Sequence, residues 1–159
     1  MAVDIGLEAI NRVAGVGDDD TSVNAGAAAS IAGIVTSIDI WALTDITGLK
    51  VGTFYKTNGN TLKCRDAKSI AGTITAGSKV NKVVSLTVEI GDYIGCIFTG
   101  GWIERDSSGY AGLWQVKDVD NCIVDAEDDY DLLSGDGISL GGYIEEAAAA
   151  GRSFGFIFG

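Results

Sequence analysis

The chain has no histidine and no proline, one methionine and three cysteines in 159 residues. Each scarcity excludes something. Without histidine, Ser-His-Asp and Cys-His nucleophilic catalysis lack their base, and the commonest side-chain metal ligand is gone. Cys64, Cys96 and Cys122 lie too far apart in sequence for a close-spaced zinc pattern. Their odd number leaves at least one thiol outside any intrachain disulfide, and the expectation is three small core residues. A chain without proline makes its turns from Gly, Asn, Asp and Ser, and glycine is abundant at 23 residues. No apolar run approaches the ~18 residues of a membrane-spanning helix. Neither a phosphate-binding P-loop nor a dinucleotide fingerprint is present.

Positive charge is also scarce. Eleven Lys and Arg face 22 Asp and Glu, a net charge of −11. A broad basic surface for nucleic acid is therefore excluded, and anionic membrane surfaces are disfavoured. The opening Met1 to Glu8 has neither a basic start nor a long apolar stretch, so no secretory signal peptide is expected.

What is present is strand pattern. Val84, Leu86, Val88 and Ile90 alternate with Ser85, Thr87 and Glu89, the period of a half-buried strand. Gly91-Asp92 then predicts a turn into a second apolar run, Tyr93 to Phe98, giving a hairpin. Similar segments cover 33–41, 49–56, 61–66, 101–106, 109–116, 122–124, 138–144 and 153–158, with a short strand and turn in 72–77. Asn58-Gly59 marks a hairpin turn. In 33–41 the alternation assigns Ile34, Ile38 and Ile40 to one face, and Val35, Ser37, Asp39 and Trp41 to the other. The run Glu145 to Gly151 predicts one helical turn. The expectation is an all-β chain: one antiparallel β-sandwich of jelly-roll type over 31–159, preceded by an irregular N-terminal arm over 1–30 rich in small residues. Such an arm has little to bury and is expected to order on a neighbour.

Three groups of residues are candidates for chemistry. Glu89 and Glu104, both on strands, are the pair that a glycosidase would need. Asp18 to Asp20 and the acidic stretch 118–131 suggest calcium, with Asp118, Asp120, Asp125, Glu127 and Asp129 as ligands; their alternative is a solvated acidic loop. Trp41, Trp102 and Trp114 are candidate platforms, either for subunit contact or for stacking on sugar rings. No other metal or cofactor is expected.

Several segments resemble small virion proteins of bacteriophages and viral contigs. They are Val3 to Gly6, Glu8 to Arg12, Gly33 to Trp41, Val51 to Tyr55, Leu62 to Asp66, Gly91 to Gly95 and Ile103 to Gly109. The resemblance implies a jelly-roll-like tail, appendage or capsid-decorating protein. It implies a part made in the host cytoplasm, located in the virion, and non-enzymatic, with its own copies or other virion subunits as partners. A carbohydrate-binding module, calcium-assisted and facing a glycan receptor, is the alternative reading of the tryptophans. Membrane insertion and nucleic-acid binding are not expected.

Overall fold

The computed structural model describes residues 2–147. They are all-β. In chain order the strands are β1 (Ile5–Gly6), β2 (Ala14–Val16), β3 (Thr21–Asn24), β4 (Gly33–Thr47), β5 (Lys50–Asn58), β6 (Thr61–Ser69) and β7 (Lys79–Val88). They continue as β8 (Tyr93–Ile97), β9 (Gly100–Asp106), β10 (Leu113–Val116), β11 (Glu127–Asp129), β12 (Asp131–Leu133), β13 (Gly137–Ile138) and β14 (Leu140–Glu146). One sheet runs β1-β14-β4-β9-β13, with β2 beside β9 and β7 beside β4. The other runs β11-β6-β5-β8-β3-β10-β12. The antiparallel sheets curl into a half-barrel and a near-barrel, a sandwich-like arrangement. The chain itself explains the near-closure. The end strands of the second sheet, β11 and β12, are joined through Tyr130 alone, so the two ends of the sheet must meet.

Two cores result. Val35, Ile38, Ile40 and Ile103 from the first sheet meet Val51, Ile94, Cys96 and Leu113 from the second. Val23, Phe54, Leu62, Cys64, Ile97, Trp114, Cys122 and Tyr130 form the other core. Strand β8 therefore has apolar neighbours on both faces, with Ile94 and Cys96 on one and Ile97 on the other. This is why Tyr93 to Phe98 reads as a continuous apolar run, as strands buried on both faces do.

The expected hairpin across Gly91-Asp92 does not form. Strand β7 pairs with β4 in the first sheet, and β8 pairs with β5 and β3 in the second. The turn carries the chain across the sandwich. Asp92 anchors it: the buried carboxylate accepts Arg65 Nε at 2.6 Å, Arg65 Nη2 at 3.0 Å and the Glu89 amide at 2.9 Å. Gly91 is at φ 91°, where a side chain would be strained. Leu86 and Val88 are buried as the alternation predicts, while Ile90 lies beyond the strand and is exposed.

A second departure lies in β4. Its pairing with β7 shifts register between Val35 and Ser37. Val35 is thereby buried with Ile38 and Ile40, and Ile34 is exposed. Simple alternation cannot place a bulge. The hairpin β5–β6 forms, with Gly59-Asn60 as its turn, one residue beyond the predicted pair. Residues 122–124 form no strand; Cys122 is buried, whereas Ile123 and Val124 are exposed.

The first thirty residues do not stand off as an arm. They supply β1 and β2 to the first sheet and β3 to the second, where Thr21–Asn24 is buried throughout. Short strands of small residues hold here because polar side chains fasten them. Arg12 and Asn24, discussed below, are the main ones. At the other end, Glu145 and Glu146 belong to β14 and not to a helical turn. The rest of that predicted turn, and the predicted strand 153–158, lie outside the described residues.

Cys64, Cys96 and Cys122 are free, buried thiols, as expected from the sequence. Burial pushes Cys64 and Cys96 up to about 12 and raises Cys122 well above its ordinary value; Asp66 adds to the effect at Cys64. A thiol that resists ionising only in the folded state leaves stability untouched below its unfolded pKa of about 8.5. Above that pH the unfolded chain loses protons that the native state keeps. Stability then falls by ~1.4 kcal/mol per pH unit for each thiol until the folded pKa is passed. We predict unfolding that steepens above about pH 9. Replacing the three cysteines with alanine should flatten the dependence of stability on pH between about pH 9 and pH 11. An unchanged slope in chemical denaturation would refute this.

Candidate functional site

Strand β9 points Ile103 into the core and Trp102, Glu104 and Asp106 to the outer face of the first sheet. Segment 8–13 crosses that face and covers part of it. Glu104 is buried there, its Oε1 accepting the Arg12 amide at 2.8 Å. Asp106 pairs with Arg12 Nη1 at 2.8 Å. The cover stops at Trp102, a residue that remains 48% exposed.

The ring is seated on glycine. A Cβ built on Gly17 would lie 3.3, 3.4 and 3.5 Å from three adjacent atoms of the six-membered ring, so the ring face lies over that residue. A Cβ on Gly15 would meet Leu43 Cδ2 at 2.6 Å and Trp102 Cε3 at 3.2 Å. Any larger residue at 15 or 17 would crowd or lift the indole. Leu43 and Val13 are also exposed, Val13 at 85%. Val13, Gly15 and Gly17 follow one another on the outward side of the segment that includes β2, which is paired to β9. Leu43 and Trp102 thus lie together as an apolar patch on one sheet face, and Val13 extends it along β2 toward Asp106. Thr44 lies across from Trp102 in the β4–β9 pairing and is exposed.

The other tryptophans have different surroundings. Trp41 is half-buried and faces Lys79 across the β4–β7 pairing. Trp114 is not a platform. It is buried, donates its indole N–H to Asn60 Oδ1 at 2.9 Å, and packs edge-on against Tyr93 at 4.8 Å. Its neighbour Gln115 faces the other way, and the alternation within a two-sided wall gave no cue to which side was wet.

Glu89 and Glu104 are not a catalytic pair. Val88, before Glu89, lies opposite Gly33, while Ile103, before Glu104, lies opposite Ala42. At about 3.3 Å per residue the two points on β4 are roughly 30 Å apart, far beyond the ~5–9.5 Å of glycosidase carboxylates.

The five calcium candidates are dispersed. Asp118 and Asp120 line a cleft of about 430 Å³ with Asp19, Lys50, Ile97 and Phe98. Lys50 Nζ lies 2.6 Å from Asp120 Oδ2 and balances its charge. Glu127 and Asp129 stand on β11, in a different cleft with Thr57, Asn58 and Thr61. Asp129 there accepts the Thr61 hydroxyl at 2.6 Å. Asp125 donates its amide to Cys64 O at 2.9 Å in the turn before β11. Among the described residues, no group of three or more His, Cys, Asp or Glu is arranged to hold a metal ion.

Sequence reasoning found Trp102 but missed Val13, Leu43 and the two glycines beneath the ring. Gly15 and Gly17 read as parts of a small-residue arm, because nothing local says that an indole from residue 102 will lie on them. No protein-family model matches this chain, and neither does any curated protein.

Proposed function

We propose that this chain is a non-enzymatic structural or attachment protein of a virus particle, assembling with its own copies or with other particle subunits. The observation that carries this reading is the patch of Val13, Leu43 and Trp102. Contiguous exposed apolar side chains on one sheet face mark interaction sites, and aromatic anchors are what protein interfaces enrich. The separation of Glu89 from Glu104 and the likeness to small virion proteins point the same way.

A second reading is favoured by one detail. With one face of the indole on glycine and nearly half the residue exposed, Trp102 also offers a flat surface of the kind that stacks on a sugar ring, with the Thr44 hydroxyl across from it. One variant tests both. Trp102→Ser should convert an oligomer into a monomer in light scattering while leaving thermal stability nearly unchanged. A wild type that stays monomeric at high concentration overturns the assembly reading. If that monomer shows Trp102-dependent fluorescence quenching by neutral oligosaccharides such as maltohexaose or chitohexaose, the sugar reading takes its place. Silence toward all of them removes the sugar reading.

A further inference from the structure

We infer that the free edge of β7 is an assembly contact that receives the acidic strand β11 of a second copy of this chain. This rests on the assembly reading above but uses a surface separate from the Trp102 patch.

Strand β7 is the longest edge strand of the first sheet, and its only ladder is with β4. At its far end the second sheet closes it: Thr87 donates its amide to Asp66 Oδ2 at 2.8 Å, and its carbonyl accepts the Thr53 hydroxyl at 2.8 Å. From Lys79 to Leu86 no hydrogen bond joins the other edge of the strand to any described residue. Val83 stands 85% exposed in the middle of this stretch. An open edge of this kind is a template for another strand.

Charge selects the partner. In an acidic chain, six Lys and Arg side chains already have an Asp partner: Arg12, Lys50, Arg65, Lys68, Arg105 and Lys117. Four described lysines form no ion pair: Lys56, which lies over the Trp114 ring, Lys63, which stands across from Glu127 in the β6–β11 pairing, and Lys79 and Lys82, both on β7. Two β7 edges laid together would set a lysine-bearing strand against another, with Lys79 on one face and Lys82 on the other, and like charge on both strands disfavours symmetric pairing. An acidic strand meets no such penalty. Strand β11 pairs with β6 alone and exposes Glu127 and Asp129, with Asp125 and Asp131 on either side; Asp128 Oδ1 already accepts the Asp129 amide at 2.8 Å, so what β11 brings to the contact is chiefly its charge. A β7-to-β11 contact is head-to-tail, so repetition builds a ring or a filament.

The test is a charge exchange read by sedimentation at low and high salt. The wild type should associate, and more weakly as salt rises. Lys79→Glu with Lys82→Glu should weaken association about tenfold or more, and so should Glu127→Lys with Asp129→Lys, because each places like charges across the contact. An equimolar mixture of the two variants should associate again, since each then offers the edge that the other lacks. Circular dichroism confirms that both remain folded, and Lys79→Glu alone serves if either double variant does not. If the wild type associates and the variants match it, this contact is wrong while the assembly reading survives. If the wild type is monomeric at every salt concentration, both fall.

Discussion

Replacing Asn24 with aspartate should destabilise the protein by at least about 4 kcal/mol, a change of one amide to one carboxylate. Asn24 is fully buried on β3, in the wall between the two cores. Its side chain reaches across to the first sheet at the corner between β13 and β14. Its Oδ1 accepts the Ile138 amide at 3.0 Å, and its Nδ2 donates to Ile138 O at 3.2 Å and Leu140 O at 3.1 Å. One side chain thus satisfies the Ile138 amide and carbonyl, and adds a second donor to the Leu140 carbonyl, which also accepts the Leu7 amide at 2.9 Å. A carboxylate can still accept from Ile138 but cannot donate, and it sets a negative charge against two buried carbonyls. Alanine should cost less than aspartate, since it leaves groups unpaired but buries no charge. The sign with pH separates the two. A buried aspartate here has its folded pKa raised, so the penalty relative to wild type is smallest below about pH 4 and grows as pH rises. Urea denaturation of both variants across pH checks this. An aspartate variant within about 1 kcal/mol of wild type at pH 7 would show that Asn24 is not the fastener described.

The second large effect is at Arg12. Its side chain is 1% exposed and makes four hydrogen bonds. Nε donates to Ser139 Oγ at 2.7 Å, Nη1 to Asp106 Oδ2 at 2.8 Å and Tyr110 OH at 2.6 Å, and Nη2 to the Glu8 carbonyl at 2.9 Å. The guanidinium also lies 4.8 Å from the centre of the Tyr110 ring. Breaking a buried ion pair by removing one partner typically costs ~3–5 kcal/mol. For a domain of this size Arg12→Ala should lower Tm by roughly 8–16 °C. Arg12→Lys should recover little of that loss, because an ammonium cannot reach four partners held in the plane of a guanidinium fork. The damage should be local first. Hydrogen exchange should quicken in β1 and β2, which Arg12 holds down, before it quickens in β4 or β5. Equal protection in both places after Arg12→Ala would refute the role assigned to it.

Both residues illustrate what local pattern does not carry. Strand β7 was readable because it lies at a sheet edge with one wet face, and its alternation survives in Leu86, Val88 and their exposed neighbours. Strands β5, β6 and β9 were readable as apolar and β-branched runs bounded by turn residues, as was the Gly59 turn. The β8 run was readable as apolar, but its placement was not. A strand buried on both faces has no period to show, so its partner could not be inferred, and the expected hairpin across Gly91-Asp92 was assigned to the wrong sheet. Arg12 and Asn24 left no mark at all. Their partners lie about a hundred residues or more away in sequence, at Asp106, Ser139, Ile138 and Leu140. The same is true of the candidate site: Trp102 was visible as an alternating aromatic, while its glycine seat was not.

By itself the sequence determined the strand-rich class, the turn chemistry forced by missing proline, the burial of three thiols and the exclusion of histidine-based catalysis. These follow from composition and from periods of two residues, which act locally. The tertiary structure alone decided that the first thirty residues belong to both sheets, that the second sheet nearly closes through Tyr130, and that Glu89 stands far from Glu104. It also decided which tryptophan meets solvent. Those outcomes depend on strand pairing across long stretches of chain, where the free energy comes from contacts that no local window contains.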